Sequence, residues 1–346
     1  MTGTIEREAT AEGPGAVQGA IQGGGRSDPA AGAAALAALG EGGKAKLARA
    51  LARMESHAQA PETAALLDAA HQAPVGHVIG LTGPPGVGKS SLANRLVASW
   101  RGRGLRVAVI AVDPSSRRSR GALLGDRTRI ATDPEDDGIF VRSMAARDRL
   151  GGLAELTFPA MILMRALYDR VLVETVGVGQ SEVEIADMAD TVALCVQPAS
   201  GDALQFMKSG VMEAPHLLVV TKADLGGPAR RALADLKGAL SLAPPRPDGS
   251  IPKALICSST SPDGADDFVA ALEARAEGLA PAALASQRLE HTRAWARTTV
   301  QAEYGRMGSR LAADSFESPH FRQTPFSTTL TAMTSLRDAL RDRFSW

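Results

Sequence analysis

Residues 83–90 read Gly83-Pro84-Pro85-Gly86-Val87-Gly88-Lys89-Ser90 and satisfy G-x-x-x-x-G-K-[ST] at every fixed position. An apolar run precedes them and a helical pattern follows, the setting in which this motif cradles a triphosphate. The glycines let backbone N–H groups turn inward around phosphate oxygens. Lys89 brings a point charge to the β/γ-phosphates, and the Ser90 hydroxyl, followed by Ser91, is a ligand for Mg²⁺. The helix that starts here aims its positive end at the same anion. A triphosphatase also needs a carboxylate for its metal. The run 170–175 ends at Glu174, and an acidic residue at the tip of a buried strand is costly unless it is paired or serves a metal. Glu174 is therefore a candidate Mg²⁺ ligand, through water, because Mg²⁺ keeps much of its hydration shell. Beyond it, Gly177 is placed to offer an N–H to the γ-phosphate. A second acidic tip is Asp113, and the loop after it continues to Asp126; each is a candidate for the metal or the attacking water. Arg117, Arg118 and Arg120 in that loop suit phosphate or a partner protein, or form a solvated surface.

The choice of base is carried by Thr221-Lys222-Ala223-Asp224, a form of [NT]-K-x-D. The aspartate accepts from two N–H groups on one edge of guanine, and the lysine stem packs along the ring. Adenine offers no such donor pair and leaves the carboxylate unmet. Four residues are a weak signal alone, but these follow a strand well downstream of a phosphate loop. Ser258 and Ser259, after another apolar run, are candidates to complete the base pocket.

These residues need a frame. Apolar runs at 77–82, 106–112, 138–143, 170–175, 191–197, 216–221 and 253–258 read as strands buried on both faces. Helical patterns fill the gaps near 89–102, 151–168, 202–213, 228–241 and 264–277. The alternation predicts an α/β fold with a mostly parallel sheet covered on both faces, in which ligands bind at the carboxyl ends of strands. Residues 1–35, rich in Gly, Ala and Gln, are expected to be a disordered tail. Residues 36–75 read as an N-terminal helical extension and 76–280 as the nucleotide-binding domain. Residues 281–346 read as a C-terminal helical region, with 284–306 and 330–344 helical and 314–327 irregular between them. The stripe Leu336, Leu340, Phe344 suits packing on the domain or a subunit interface equally.

Lys plus Arg and Asp plus Glu both number 38, so nothing supports a nucleic-acid footprint or a polybasic membrane anchor. The two cysteines, Cys195 and Cys257, lie in apolar runs with no metal-ligand spacing, as in a reduced cytoplasmic protein. No apolar stretch is long enough to span a bilayer, and the first residues lack the pattern of a leader peptide.

The stretches GLTGPPGVGKSSL, AVIAVDPSS, LLGDRTR, LGGLAE, VLVETVGVGQSE, GDALQFMKSG and TKAD occur in order between about 77 and 225. Together they resemble the MeaB/ArgK/MMAA family of P-loop GTPases, chaperones of adenosylcobalamin-dependent acyl-CoA mutases such as methylmalonyl-CoA mutase. The resemblance implies a SIMIBI-type G domain with helical extensions, a homodimer through the C-terminal helices, and slow GTP hydrolysis accelerated by the mutase. It implies GTP/GDP and Mg²⁺ as ligands, and a role in gating cofactor loading and protecting or reactivating the mutase. Lys89 and Ser90 would hold phosphate and metal, with Asp113, Asp126 and Glu174 at the acidic positions around it. Gln180 falls in the second switch, and Lys208, in a third segment beginning at Gly201-Asp202, is a candidate to stabilise transition-state charge. Arg120, Asp148 and Ala203 depart from the family pattern, all outside the nucleotide motifs. The identity of the mutase is open among methylmalonyl-CoA, isobutyryl-CoA, ethylmalonyl-CoA and hydroxyisobutyryl-CoA enzymes.

Two other readings compete. A nickel-type metallochaperone GTPase shares the general fold but expects a Cys/His cluster, and the six histidines show no ligand spacing. An ATP-dependent kinase linked to amino-acid transport needs an adenine site, against which Thr221–Asp224 argues.

Overall fold

The computed structural model describes residues 28–114, 130, 133, 135–146, 154–175, 184–198, 215–242, 245–246 and 249–344. Seven strands form one sheet: β1 (His77–Thr82), β2 (Val107–Pro114), β3 (Ile139–Ala146), β4 (Arg170–Glu174), β5 (Thr191–Val196), β6 (Leu217–Val220) and β7 (Lys253–Ile256). Their order is β3-β2-β4-β1-β5-β6-β7, and every pairing is parallel. Parallel strands need crossovers, and helices on both faces leave no wet side to the sheet. That is why β1, β5 and β6 are buried at every position. The chain fills one side of β1 with β2–β4 and the other with β5–β7, so the strand order reverses beside β1, the place where such sheets open a ligand crevice.

Among the described residues the helices are α1 (Pro29–Glu41), α2 (Gly43–Ser56), α3 (Pro61–Gln72), α4 (Lys89–Gly102), α5 (Ala154–Leu167), α6 (Gly227–Leu240), α7 (Ala265–Gly278), α8 (Pro281–Leu311), α9 (Ala313–Glu317) and α10 (Pro325–Phe344). One face of the sheet packs on α5 and the N-terminal helices through Leu47, Leu51, Leu67, Phe158 and Leu163. The other packs on α4 and α7 through Leu92, Leu96, Trp100 and Phe268. All seven expected strands are present. The tail expectation needs correction: residues 29–35 are the first two turns of α1, with Pro29 in the first turn and the Asp28 carboxylate accepting from Ala30 N–H at 2.9 Å. Within 314–327, expected to be irregular, α9 forms a short helix. The expected helix 284–306 is longer at both ends and breaks at Gly305, whose φ of 66° is left-handed. The helix expected at 202–213 lies outside the described residues.

The terminal helical regions are fastened to the domain by buried polar contacts. Asp68 on α3 accepts from Phe326 N–H at 2.8 Å and Ser327 N–H at 3.1 Å, capping α10. Trp295 of α8 lies between Phe158 (5.7 Å) and Phe326 (4.7 Å). Asp190, 0 % exposed, accepts from Arg288 Nε at 2.8 Å, from a terminal Arg288 nitrogen at 2.6 Å, and from Val78 N–H at 2.8 Å. Arg288 also donates to the Gly76 carbonyl at 2.8 Å. The start of α8 is thereby tied to the feet of β1 and β5. Burial alone would raise the Asp190 carboxyl, but the Arg288 hydrogen bonds and charge hold it below its ordinary value.

Around this pair burial pushes three imidazoles, His71, His77 and His291, down to about 4. Between pH 6.5 and about 4 each stays neutral in the fold while the unfolded chain binds a proton. Their contribution is fully present above pH 6.5 and is lost as pH falls toward 4. Each histidine then costs about 1.4 kcal/mol per pH unit across that window. Asp68, raised to about 6 by burial, and Asp187, also raised by burial, act in the opposite sense there. Three groups outweigh two, so the melting temperature is expected to fall by several degrees between pH 7 and pH 5. A calorimetric scan showing a flat or rising melting temperature over that range contradicts this account.

Candidate functional site

The phosphate loop leaves β1 at Thr82 and enters α4 at Lys89, so it sits at the carboxyl edge beside the reversal of strand order. Its three glycines all have positive φ: Gly83 at 137°, Gly86 at 75° and Gly88 at 101°. At Gly83 a Cβ would also collide with the Cys195 carbonyl, so the loop is seated directly on β5. Beside Gly86 and Gly88 there is open space, and there only the backbone conformation demands glycine. Gly88 is the N-cap of α4, which leaves the first N–H groups of that helix facing the cradle. Pro84 and Pro85 stiffen the entry, and the Pro84 carbonyl accepts from Val87 N–H at 3.4 Å.

Lys89 is 7 % exposed, and its ammonium donates to the carbonyls of Gly83 at 2.7 Å and Pro84 at 3.1 Å. The cation is thus held inside the cradle that it is expected to serve. Ser90 Oγ donates to Glu174 Oε1 at 2.7 Å, joining the motif serine to the tip of β4. Glu174 is 7 % exposed and stands in register with Leu81 of β1 and Ala111 of β2. Thr175 Oγ1 donates to Thr82 Oγ1 at 2.8 Å, which fixes the strand tips that carry this pair. A hydroxyl and a carboxylate in contact are hard oxygen donors, and they fit Mg²⁺.

Thr221–Asp224, the segment expected to read the base, follows β6, two strands from β1. The Thr221 hydroxyl donates to the Val87 carbonyl of the phosphate loop at 2.8 Å. A threonine in the first position therefore still bonds the reader to the loop. Lys222 has φ 56° and ψ 46°, and among the described residues it is the one non-glycine with positive φ. Strain of this kind collects at sites that require one backbone course. Ala223 N–H reaches the Cys257 carbonyl at 3.3 Å, which tucks the turn against the end of β7. Asp224 is exposed at the sheet edge, and its Oδ1 accepts from Ser258 Oγ at 2.6 Å. That hydrogen bond is the leading cause holding the Asp224 carboxyl below its ordinary range. Ser258, 0 % exposed, also accepts from the N–H groups of Thr260 and Ser261, both at 3.1 Å, so the carboxylate is aimed by a fixed hydroxyl. Ser259 is half-buried in the same turn.

A family model described as methylmalonyl-CoA mutase-associated GTPase MeaB matches residues 47–310. The chain belongs to the MeaB family. A Pyrococcus horikoshii protein named as a GTPase is 51% identical over 152 residues, covering 44% of this chain and 48% of that one. The mouse methylmalonic aciduria type A homolog, named as mitochondrial, is 39% identical over 227 residues, covering 64% of this chain and 55% of that one. The chain thus spans about half the length of these curated relatives. A crystal structure titled LAO/AO transport system kinase superposes with a TM-score of 0.61 at 27% identity, covering 90% of this chain and 99% of that one.

Not every residue expected of a MeaB-family site falls within the described part. Asp126, Gly177, Gln180 and Lys208 lie outside it, as do Arg117, Arg118, Arg120, Asp148 and Ala203. Asp113 pairs with Ala145 at the tip of β2, and its side chain is outside the described part. Sequence reasoning missed Gln197, whose Oε1 accepts from Lys222 Nζ at 3.1 Å. A lone glutamine at a strand end carries no motif that would have singled it out.

Proposed function

We propose that this MeaB-family chain binds guanine nucleotide and hydrolyses GTP to GDP and phosphate. The observation that carries the reading is the 2.8 Å bond from Thr221 to the Val87 carbonyl, which makes a phosphate cradle and a guanine reader one continuous seat. In this reading Gly83–Ser91 wrap the phosphates while Thr221, Lys222, Asp224, Ser258 and Ser259 take the base. The Lys89 ammonium exchanges its two carbonyl acceptors for β- and γ-phosphate oxygens, and α4 adds the positive end of its dipole. Mg²⁺, when bound through Ser90 and, by way of water, Glu174, neutralises charge that develops on the phosphates. The water oxygen forms the new bond to the γ-phosphorus, the bond to the β–γ bridging oxygen breaks, and the water proton leaves with phosphate. Asp113, Asp126, Gln180 and Lys208 are the residues we assign to the metal shell, the attacking water and the transition-state charge. Turnover is slow while that water is unplaced, and a partner that places it accelerates it.

The partner we infer is an adenosylcobalamin-dependent acyl-CoA mutase, with this chain gating its cofactor loading and protecting or reactivating it in the cytoplasm. The support is the family's description as methylmalonyl-CoA mutase-associated. The C-terminal region has its own core of Leu289, Val300, Phe316, Phe321 and Leu336, while Leu340 is 48 % exposed. We assign α8 and α10 to a homodimer contact.

Calorimetry of GDP, GTP and ADP with and without Mg²⁺ tests the nucleotide reading. Guanine-selective, magnesium-dependent uptake supports it, and tight ADP uptake refutes it. Co-purification of a mutase with the GTP-loaded chain tests the partner. The glutamate is checked separately. Glu174→Gln keeps an acceptor for Ser90 but removes the charge, and the Mg²⁺ concentration for half-maximal hydrolysis is expected to rise roughly tenfold, as losses in outer metal shells do. An unchanged magnesium dependence removes Glu174 from the metal site.

A further inference from the structure

We infer that Gln197 is a positioning residue of the base pocket, setting the Lys222 stem as a shelf for the purine face. This rests on the nucleotide reading above and adds to it a residue outside every recognised motif. Lys222 begins at the tip of β6 in a left-handed turn, yet its ammonium donates to Gln197 Oε1 at the tip of β5. Because β5 lies between β6 and β1, the side chain runs sideways along the carboxyl edge toward the phosphate loop. The four methylenes therefore cross the gap between Asp224, which faces the base edge, and the cradle that holds the phosphates. A free lysine samples many rotamers, and a ring that stacks on it must first immobilise them. An acceptor at the far end removes that cost before the ligand arrives. Thr221 cannot serve, because its hydroxyl is committed to the Val87 carbonyl. Gln197 follows directly on β5, a strand buried along its whole length, so the acceptor stands on a rigid support. A shelf senses the flat face of a purine and not the pattern of its edge. Gln197 is thus assigned to affinity, and Asp224 to the choice of base.

The experiment is titration of full-length wild type, Gln197→Ala and Gln197→Glu with a fluorescent GDP, alongside steady-state GTP hydrolysis and melting temperatures. Gln197→Ala is expected to weaken GDP about fivefold, the net worth of one ordinary hydrogen bond at a half-open site. KM for GTP should rise to match while kcat stays unchanged. The GDP-to-XDP preference should also hold, since the base edge is read elsewhere. Gln197→Glu retains an acceptor and adds charge, so it should bind GDP at least as tightly as wild type. A Gln197→Ala affinity within twofold of wild type overturns the proposal and leaves the nucleotide site standing. So does a Gln197→Glu variant as weak as the alanine, or a fall in kcat. Should the alanine variant melt several degrees early, the glutamate variant decides alone. If the wild type takes up no guanine nucleotide, the nucleotide reading fails first and this assignment with it.

Discussion

Replacing Lys89 with alanine is expected to reduce single-turnover GTP hydrolysis by on the order of 10²–10³-fold, the scale on which one preorganised charge or donor acts on a transition state. The reason lies in where the cation sits. It is 7 % exposed and bonded to two loop carbonyls, so most of its desolvation is built into the fold. A charge in so dry a cradle acts on phosphate oxygens with little screening by water. The fold should survive the change. Alanine is the best helix former, and position 89 is the first residue of α4. Melting temperature and hydrolysis are to be measured on the same preparation. Full hydrolysis by a stably folded Lys89→Ala variant places the reacting phosphates somewhere else.

Asp224→Asn should exchange one base preference for another. The carboxylate offers acceptors to two N–H groups on guanine, whereas an amide presents one acceptor and one donor. Xanthine carries a carbonyl where guanine has its amino group, so the amide complements it. Sites built around a hydrogen-bond pattern reject the mismatched ligand steeply, and a loss on the order of 10²-fold in GDP affinity is expected, with XDP gaining. The Ser258 hydroxyl can donate to the amide oxygen as it does to Oδ1, so the side chain keeps its aim. Competition between GDP and XDP for the variant gives the answer, and unaltered guanine selectivity sinks the assignment.

Much of this was legible before any coordinates. Strands buried on both faces must be continuous apolar runs, and the interior strands β1, β5 and β6 are of that kind, while the edge strand β7 is only half-buried and was legible by its apolar composition alone. The phosphate loop and Thr221–Asp224 were legible because their chemistry fixes residue types at fixed spacing. Helix α1 was not, since an Ala/Gly-rich stretch has the composition of a tail. Its Asp28-Pro29 start was the signal that outweighed composition. The Asp190–Arg288 pair was invisible, because its members are 98 residues apart and meet only once α8 crosses the feet of β1 and β5. The Gln197–Lys222 bond was invisible for the same reason, as strand order had to be known before two tips could be called neighbours.

The Thr221 hydroxyl has one more effect. It stitches together parts of the seat that many ligands would otherwise address separately. In the proposed site a departing nucleotide would meet one bonded frame rather than two separate ones, because loop and strand tip share this seam.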